Sequence, residues 1–467
     1  MFKKRIILRF TVSFFLVFIM ISCRNLGLGN YVPYSEVIDN PKVHVSRDIL
    51  EQNIEACSAI HPNLSRLTEA AFIDSVLRAN SLFFPDTMIS STAAIFLQRR
   101  FFDMITREDP HFRLVPHLYR EGKRVNGKKI NVWPFSMIRF GDTLLVDASF
   151  SSILKSGDHI LEINQIPASQ YLHYAYSDRY LHAPLIQSQA HFNFSENYHV
   201  LIERQGVRKY LIVNGISMAD YYKAVNGQDE TRIFPAYLTG YFRIDEFDDN
   251  RKIAGDLNGF LSKLKRIGYK NLILDLRRNP GGSGDYLEDI LSLISGKSVL
   301  QYQKSVKVKL SSENIDRYFF PSERIGDLVD LPERLVMHEL ELMPSSFSKD
   351  LNVYVLVSRN TGSMAACLAN LIQYNGIGTV VGEPLAHNAL KYGEVVEAHS
   401  GIAAFFISTV QYEDYTRAID GVLFPDVMLP YRVNEYLQGG DPVLAKLLRY
   451  IAFRQKTKRR HLFMGEL

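Results

Sequence analysis

The stretch Leu272–Asp285, LILDLRRNPGGSGD, decides how this chain is read. Leu272, Ile273, Leu274 and Leu276 form an apolar run of the buried-strand type, which stops at Asn279-Pro280-Gly281-Gly282. Proline presets φ and two glycines open positive φ, so the backbone must turn here with its N–H groups in the open. Leu287, Ile290, Leu291 and Ile294 then recur at helical spacing. Strand, tight turn and amphipathic helix in that order make one unit of an α/β sheet. Farther along, Val353–Ala366, VYVLVSRNTGSMAA, repeats the plan and sets one hydroxyl, Ser363, between Gly362 and Met364 at the mouth of a helix.

The two turns are complementary in chemistry. A serine hydroxyl becomes a nucleophile when a base takes its proton, and the resulting oxyanion needs N–H donors aimed at it. The glycine turn can bring such donors close to a substrate carbonyl, and the N–H of Met364 at a helix N-terminus can add another. Each turn alone also has a plain structural reading: Ser363 as an N-cap, and the glycines as a tight connection. A phosphate-binding loop is not supported, because neither a Walker-type nor a full dinucleotide-type glycine pattern is present. His338-Glu339-Leu340-Glu341-Leu342 begins like a zinc-binding helix but lacks the second histidine, so no metal or other cofactor is expected.

At 467 residues the chain exceeds one ordinary core, and about two or three domains are expected. A net charge of +4, spread along the chain, gives no basic stripe and argues against nucleic acid as a partner. Lys3-Lys4-Arg5 followed by the apolar run Phe10–Ile21 reads as a signal peptide. Met20-Ile21-Ser22-Cys23 resembles a bacterial lipobox, which implies lipidation at Cys23 and a membrane anchor without a span; plain secretion is the alternative. Cys57 and Cys367 then remain, expected as buried, inert thiols, with a disulfide between them in an oxidising compartment as the alternative.

The expected organisation is a lipoprotein signal peptide over 1–23, a polar tether over 24–45, and an N-terminal helical domain over 46–127. A small β-rich domain over 128–215 follows, with an α/β core over 216–455 and a basic tail over 456–467. Within the core, 300–346 reads as a charged, irregular insertion or flap.

LILDLRRNPGG, the TGSMAA turn and Val381-Gly382-Glu383-Pro384, in that order, resemble the S41 family of serine peptidases, which comprises the C-terminal processing and tricorn-core types. Asp109-Pro110-His111 resembles the family's D-x-H motif. Ser156–Asn164 resembles a segment of its PDZ domain, and Gly240–Ile244 resembles the opening strand of its core. The resemblance implies a crotonase/ClpP-like spiral α/β core, a PDZ-like identity for the β-rich domain, and a polypeptide substrate. It also implies Ser363 as nucleophile and an oxyanion hole from Gly281 or Gly282 together with Met364.

The base is left open by the residues. The processing branch uses a lysine, and Asn388 stands roughly at that place, with Lys391 three residues later. The tricorn-type branch uses a histidine from the N-terminal region, which implies His111; His387 is a further candidate. An imidazole base would make activity fall in mild acid. For the group that orients the base, Glu383, Glu413 and Asp420 are candidates.

The sequence thus predicts a lipid-anchored, extracytoplasmic serine endopeptidase facing the periplasm or cell exterior, of open oligomeric state. A catalytically silent peptide-binding lipoprotein of the same fold is the rival, since Cys367 stands where members commonly carry a glutamate. A serine esterase is a third reading, without the G-x-S-x-G elbow usual for that class.

Overall fold

The computed structural model describes residues 42–44, 55–63, 88–90, 109–116, 131–171, 180–181, 195–225, 231–247, 253–312, 314–399, 403–438 and 440–464. The signal peptide with Cys23, and most of the expected tether and helical domain, lie outside the described residues. Residues 55–60 are helical, whereas Lys42–His44 and Met88–Ser90 pair as antiparallel strands inside regions expected as tether and helix. Each of these strands is only three residues long. So short a run carries no readable periodicity, and the partner that makes it a strand is remote in sequence.

The described residues between 131 and 217 are β-rich, as their alternation predicts. Strands Phe135–Phe140, Thr143–Ser149, His159–Ile163, Asn197–Arg204 and Val207–Asn214 build most of a seven-stranded sheet. Its core gathers around Trp133, which stacks on Phe135 and meets Tyr171 and Tyr198 edge-on.

The central sheet follows from the two opening segments. Its order runs Thr231–Phe234, Thr239–Arg243, Asn271–Asp275, Asn352–Val357, Gly378–Gly382 and Val427–Met428; every pair is parallel except the first. The inner runs Leu272–Leu274 and Val353–Val357 are dominated by apolar residues because both faces are covered. Leu272, Leu274, Val353, Val355 and Val357 face the helices Ile253–Arg266, Leu287–Ile294 and Ser363–Tyr374. Ile273, Tyr354 and Leu356 point the other way, onto Val443, Leu444, Leu447 and Ile451 of the helix Pro442–Met464. That helix continues through the segment expected as a basic tail. Among the described residues, no helix is long and apolar enough to cross a membrane.

Segment 300–346, expected as a charged, irregular insertion or flap, contains one long regular element. Gln303–Lys309 is a strand whose Val306 and Val308 are buried, and it pairs with Ala403–Asp414 in a second sheet. The alternating lysines are the solvent face of that strand. Ala403–Asp414 also pairs with Tyr392–His399 and, at its start, with Arg113–Pro116. The second sheet therefore receives the chain directly after His111.

Candidate active site

Both turns are built on adjacent parallel strands, so they emerge side by side at the carboxyl edge of the central sheet. The chain before the glycine turn is clamped by a buried ion network. Arg277 donates to both oxygens of Asp275 at 2.6–3.0 Å and to both oxygens of Asp441 at 2.6 and 3.0 Å. The Tyr241 hydroxyl also donates to Asp275, at 2.8 Å. Next along, Arg278 pairs with Asp147 of the β-rich domain at 2.7 Å, so that domain is tied to the residue before Asn279.

Three hydrogen bonds then stitch the turns to each other. Thr361 Oγ1 donates to the Leu276 carbonyl at 2.8 Å, Ser358 Oγ to the Arg277 carbonyl at 2.5 Å, and the Gly362 N–H to the Asn279 carbonyl at 3.1 Å. Asn279 is fully buried, and its Oδ1 accepts the Gly281 N–H at 2.8 Å. These contacts fix the two loops as one unit.

The glycines are required by space as well as by torsion. Gly281 has φ +114°, and a Cβ there would lie 2.5 Å from the Cβ of Ser363 and 3.1 Å from the Met364 nitrogen. Gly282 has φ +127°, and a Cβ there would lie 2.1 Å from the Phe247 carbonyl oxygen. The Gly281 peptide is thus packed directly on the serine. Because its N–H is engaged by Asn279, the uncommitted donors flanking this contact along the chain are those of Gly282, next after Gly281, and Met364, next after Ser363. Neither has a hydrogen-bond acceptor among the described residues.

Ser363 is not the N-cap that the plain structural reading expects. Gly362 holds that position with extended backbone, and Ser363 is the first residue of the helix with φ +46°. A left-handed conformation at a non-glycine residue costs on the order of 1–3 kcal/mol and persists where the surroundings over-determine it. Here the stitched turns do so, and they hold the half-buried hydroxyl off the standard helical path.

The histidine sits in a second cluster. Asp109 is completely buried, and its Oδ1 accepts both the backbone N–H of His111 at 2.9 Å and the ring Nδ1–H of His111 at 3.2 Å. Its Oδ2 faces Nε2 of His61 at 3.1 Å. Burial by itself would push the Asp109 carboxyl up, but the hydrogen bonds from His111 and His61, with their charge interactions, outweigh it and hold the group well below the usual carboxylate range. With Nδ1 committed to Asp109, the second ring nitrogen of His111 is the acceptor. That Nε2 is buried and has no hydrogen-bond partner among the described residues. Phe112, fully buried beside Phe405, and the pairing of Arg113–Pro116 with Ala403–Phe406 anchor the segment on the second sheet.

The structure therefore brings Ser363, Gly281, Gly282 and Met364 into one cluster and His111, Asp109 and His61 into another. No hydrogen bond joins Ser363 to His111. Such bonds commonly tighten only when substrate is bound. The remaining candidates stand elsewhere. The Glu383 carboxylate is buried and accepts the Arg359 N–H at 3.2 Å, bracing the turn before Ser363. Lys391 lies with its Nζ 5.3 Å from the Tyr392 ring centroid, and His387 borders Gly421. Glu413 is exposed and pairs with Lys304, and Asp420 is an exposed turn residue with φ +47°.

Asp109, which sequence reasoning quoted but did not assign, is the carboxylate on His111. The readable signal was its spacing, since an aspartate two residues upstream can close an Asx turn onto the later N–H. Cys367 and Cys57 are buried free thiols, each pushed up by burial.

Residues 238–427 match the model of peptidase family S41. In three dimensions the chain is similar to a crystal structure of a serine-to-alanine mutant of CPAF, with a TM-score of 0.61 at 13% identity, covering 87% of this chain and 97% of that one. It is also similar to mature CPAF complexed with lactacystin, with a TM-score of 0.57 at 14% identity, covering 87% and 97%. At these identities the likeness is one of fold. No curated protein matches the sequence.

Proposed function

The chain belongs to peptidase family S41 through residues 238–427 and is a serine-type peptidase acting on polypeptides; from that premise we propose that it is a membrane-anchored, extracytoplasmic endopeptidase with Ser363 as nucleophile and His111 as general base. Ser363 Oγ attacks the scissile carbonyl while its proton passes to His111 Nε2. Asp109 steadies the imidazolium that forms, and the N–H groups of Gly282 and Met364 receive the oxyanion. The imidazolium returns the proton to the leaving amine, and water then releases the acyl group by the same steps. Gly281 serves by its lack of a side chain, which lets the turn close onto the serine. The β-rich domain is read as PDZ-like, and the anchor as a lipid on Cys23.

The contact of Gly281 with Ser363 carries this reading. A turn of glycines pressed on a strained serine, with two uncommitted N–H groups beside it, has the form of an acyl-transfer site.

The test is β-casein cleavage and fluorophosphonate labelling by the full-length chain, run beside Ser363→Ala, His111→Ala and Lys391→Ala. We expect Ser363→Ala to lose on the order of 10⁶ in rate and His111→Ala roughly 10²–10⁴. Lys391→Ala should stay within about twofold, as expected of a residue outside the proton-transfer path. A dead Lys391→Ala with an active His111→Ala would transfer the role of base to the lysine. An unlabelled, inactive wild type would favour the peptide-binding lipoprotein. The anchor is tested separately: Cys23→Ala should move the protein from the membrane fraction to the soluble one, and its retention would sink the lipid assignment.

A further inference from the structure

The reading of His111 as base leaves the buried His61 beside it without a role. It lies 48 residues before Asp109 and is 1% exposed, with its Nε2 3.1 Å from Asp109 Oδ2. The backbone N–H of Asn63 donates to its Nδ1 at 3.0 Å, so that nitrogen carries no proton and the ring proton resides on Nε2, aimed at the carboxylate. The His61 ring also meets Tyr392 at 4.9 Å between centroids, and Asn63 Nδ2 donates to the Tyr392 hydroxyl at 3.3 Å. The ring is thereby held against the strand Tyr392–His399 of the second sheet.

We infer that His61 is a positioning residue of the catalytic machinery: it fixes the plane of the Asp109 carboxylate, and through it the tautomer and direction of the His111 ring. The inference rests on His111 being the base. The carboxylate torsion of an aspartate is soft and roughly two-fold, so contacts on Oδ1 alone would leave Asp109 free to rock. A donor on Oδ2, itself locked by a backbone N–H and a ring contact, removes that freedom. It also satisfies an acceptor that would otherwise be buried and unpaired. Two histidines sharing one buried carboxylate thus divide the work. His111 exchanges the proton, whereas His61, its Nδ1 occupied by a backbone donor, is kept as a fixed donor. The arrangement is a support of the kind that surrounds metal-bound histidines, transferred to a general base.

Two variants of the full-length chain separate positioning from packing. His61→Phe keeps a ring against Tyr392 but removes the donor, and His61→Gln keeps an N–H donor at about the place of Nε2. We expect His61→Phe to slow fluorophosphonate labelling of Ser363 and kcat on β-casein roughly 10- to 100-fold, with KM unchanged. His61→Gln should recover most of that loss. Wild-type labelling by His61→Phe, or equal losses in both variants, would overturn the proposal. The companion His111→Ala isolates the premise: if it labels at the wild-type rate, His111 is not the base and the role of His61 falls with it. If His111→Ala is dead while His61→Phe is unimpaired, the base reading stands and only the His61 proposal fails.

Discussion

The two halves of the proposed site are made from different materials. The nucleophile half, 276–282 with 358–364, is assembled from backbone: carbonyls and N–H groups of adjacent turns bond one another, and its glycines act through the space they leave. The base half, His61 with Asp109 and His111, is assembled from side chains on two segments far apart in sequence, each resting on the second sheet, one through Tyr392 and the other through Phe405 and the pairing of Arg113–Pro116. A backbone-built site is set by φ and chain direction, and it holds its shape wherever its strands are paired. A side-chain-built site depends on every member being present, since one missing partner leaves a buried acceptor orphaned.

That contrast can be broken first at Asp109. Asp109→Asn preserves size but alters what His111 Nδ1 faces, and the wrong tautomer of a base has cost about 10⁴ in kcat in a serine protease. We expect a comparable fall in Ser363 labelling, measured below the melting temperature; labelling within tenfold of wild type would show that another group orients the base.

A smaller effect is expected from the glycine side. Gly281→Ala forces a Cβ to within 2.5 Å of the Ser363 Cβ at φ +114°, so the serine must shift or the turn must open. Displacements of about 1 Å at a reacting group cost on the order of 10² in rate. We expect that loss in kcat with casein as substrate, and a kcat equal to wild type would mean the turn does not set the serine.

The smallest effect concerns stability where the second sheet meets the nucleophile helix. Asp414, at the end of the strand Ala403–Asp414, is buried, its Oδ1 has no partner among the described residues, and burial pushes its carboxyl up to about 7. Between about pH 4 and that value the folded protein holds a proton that the unfolded chain has released, so Asp414 makes stability fall as pH rises through that window. Asp414→Asn should therefore raise Tm relative to wild type more at about pH 8 than at about pH 5. A difference independent of pH would show that Asp414 is ionised when folded.

Legibility in the sequence follows the same division. The run LILDL, the NPGG turn and the serine between glycine and methionine are local, and each carries its meaning in period, φ preference and order. The plain structural alternative, Ser363 as an N-cap, fails for a local reason: Gly362 takes that position, and sequence does not say which of two neighbours does. Within segment 300–346, the lysines alternating with Val306 and Val308 read as charge alone, although they are also the pattern of a half-buried strand.

By itself the sequence determined the strand–turn–helix units, their order, and the residue types suited to acyl transfer, because those depend on torsions and periodicities within a few residues. Tertiary structure decided which glycine N–H stays uncommitted, that Asp109 rather than Glu383, Glu413 or Asp420 holds His111, and that His61 completes the cluster. Those outcomes depend on which distant side chains share a buried space, where each polar atom must find its partner among whatever the fold brings near.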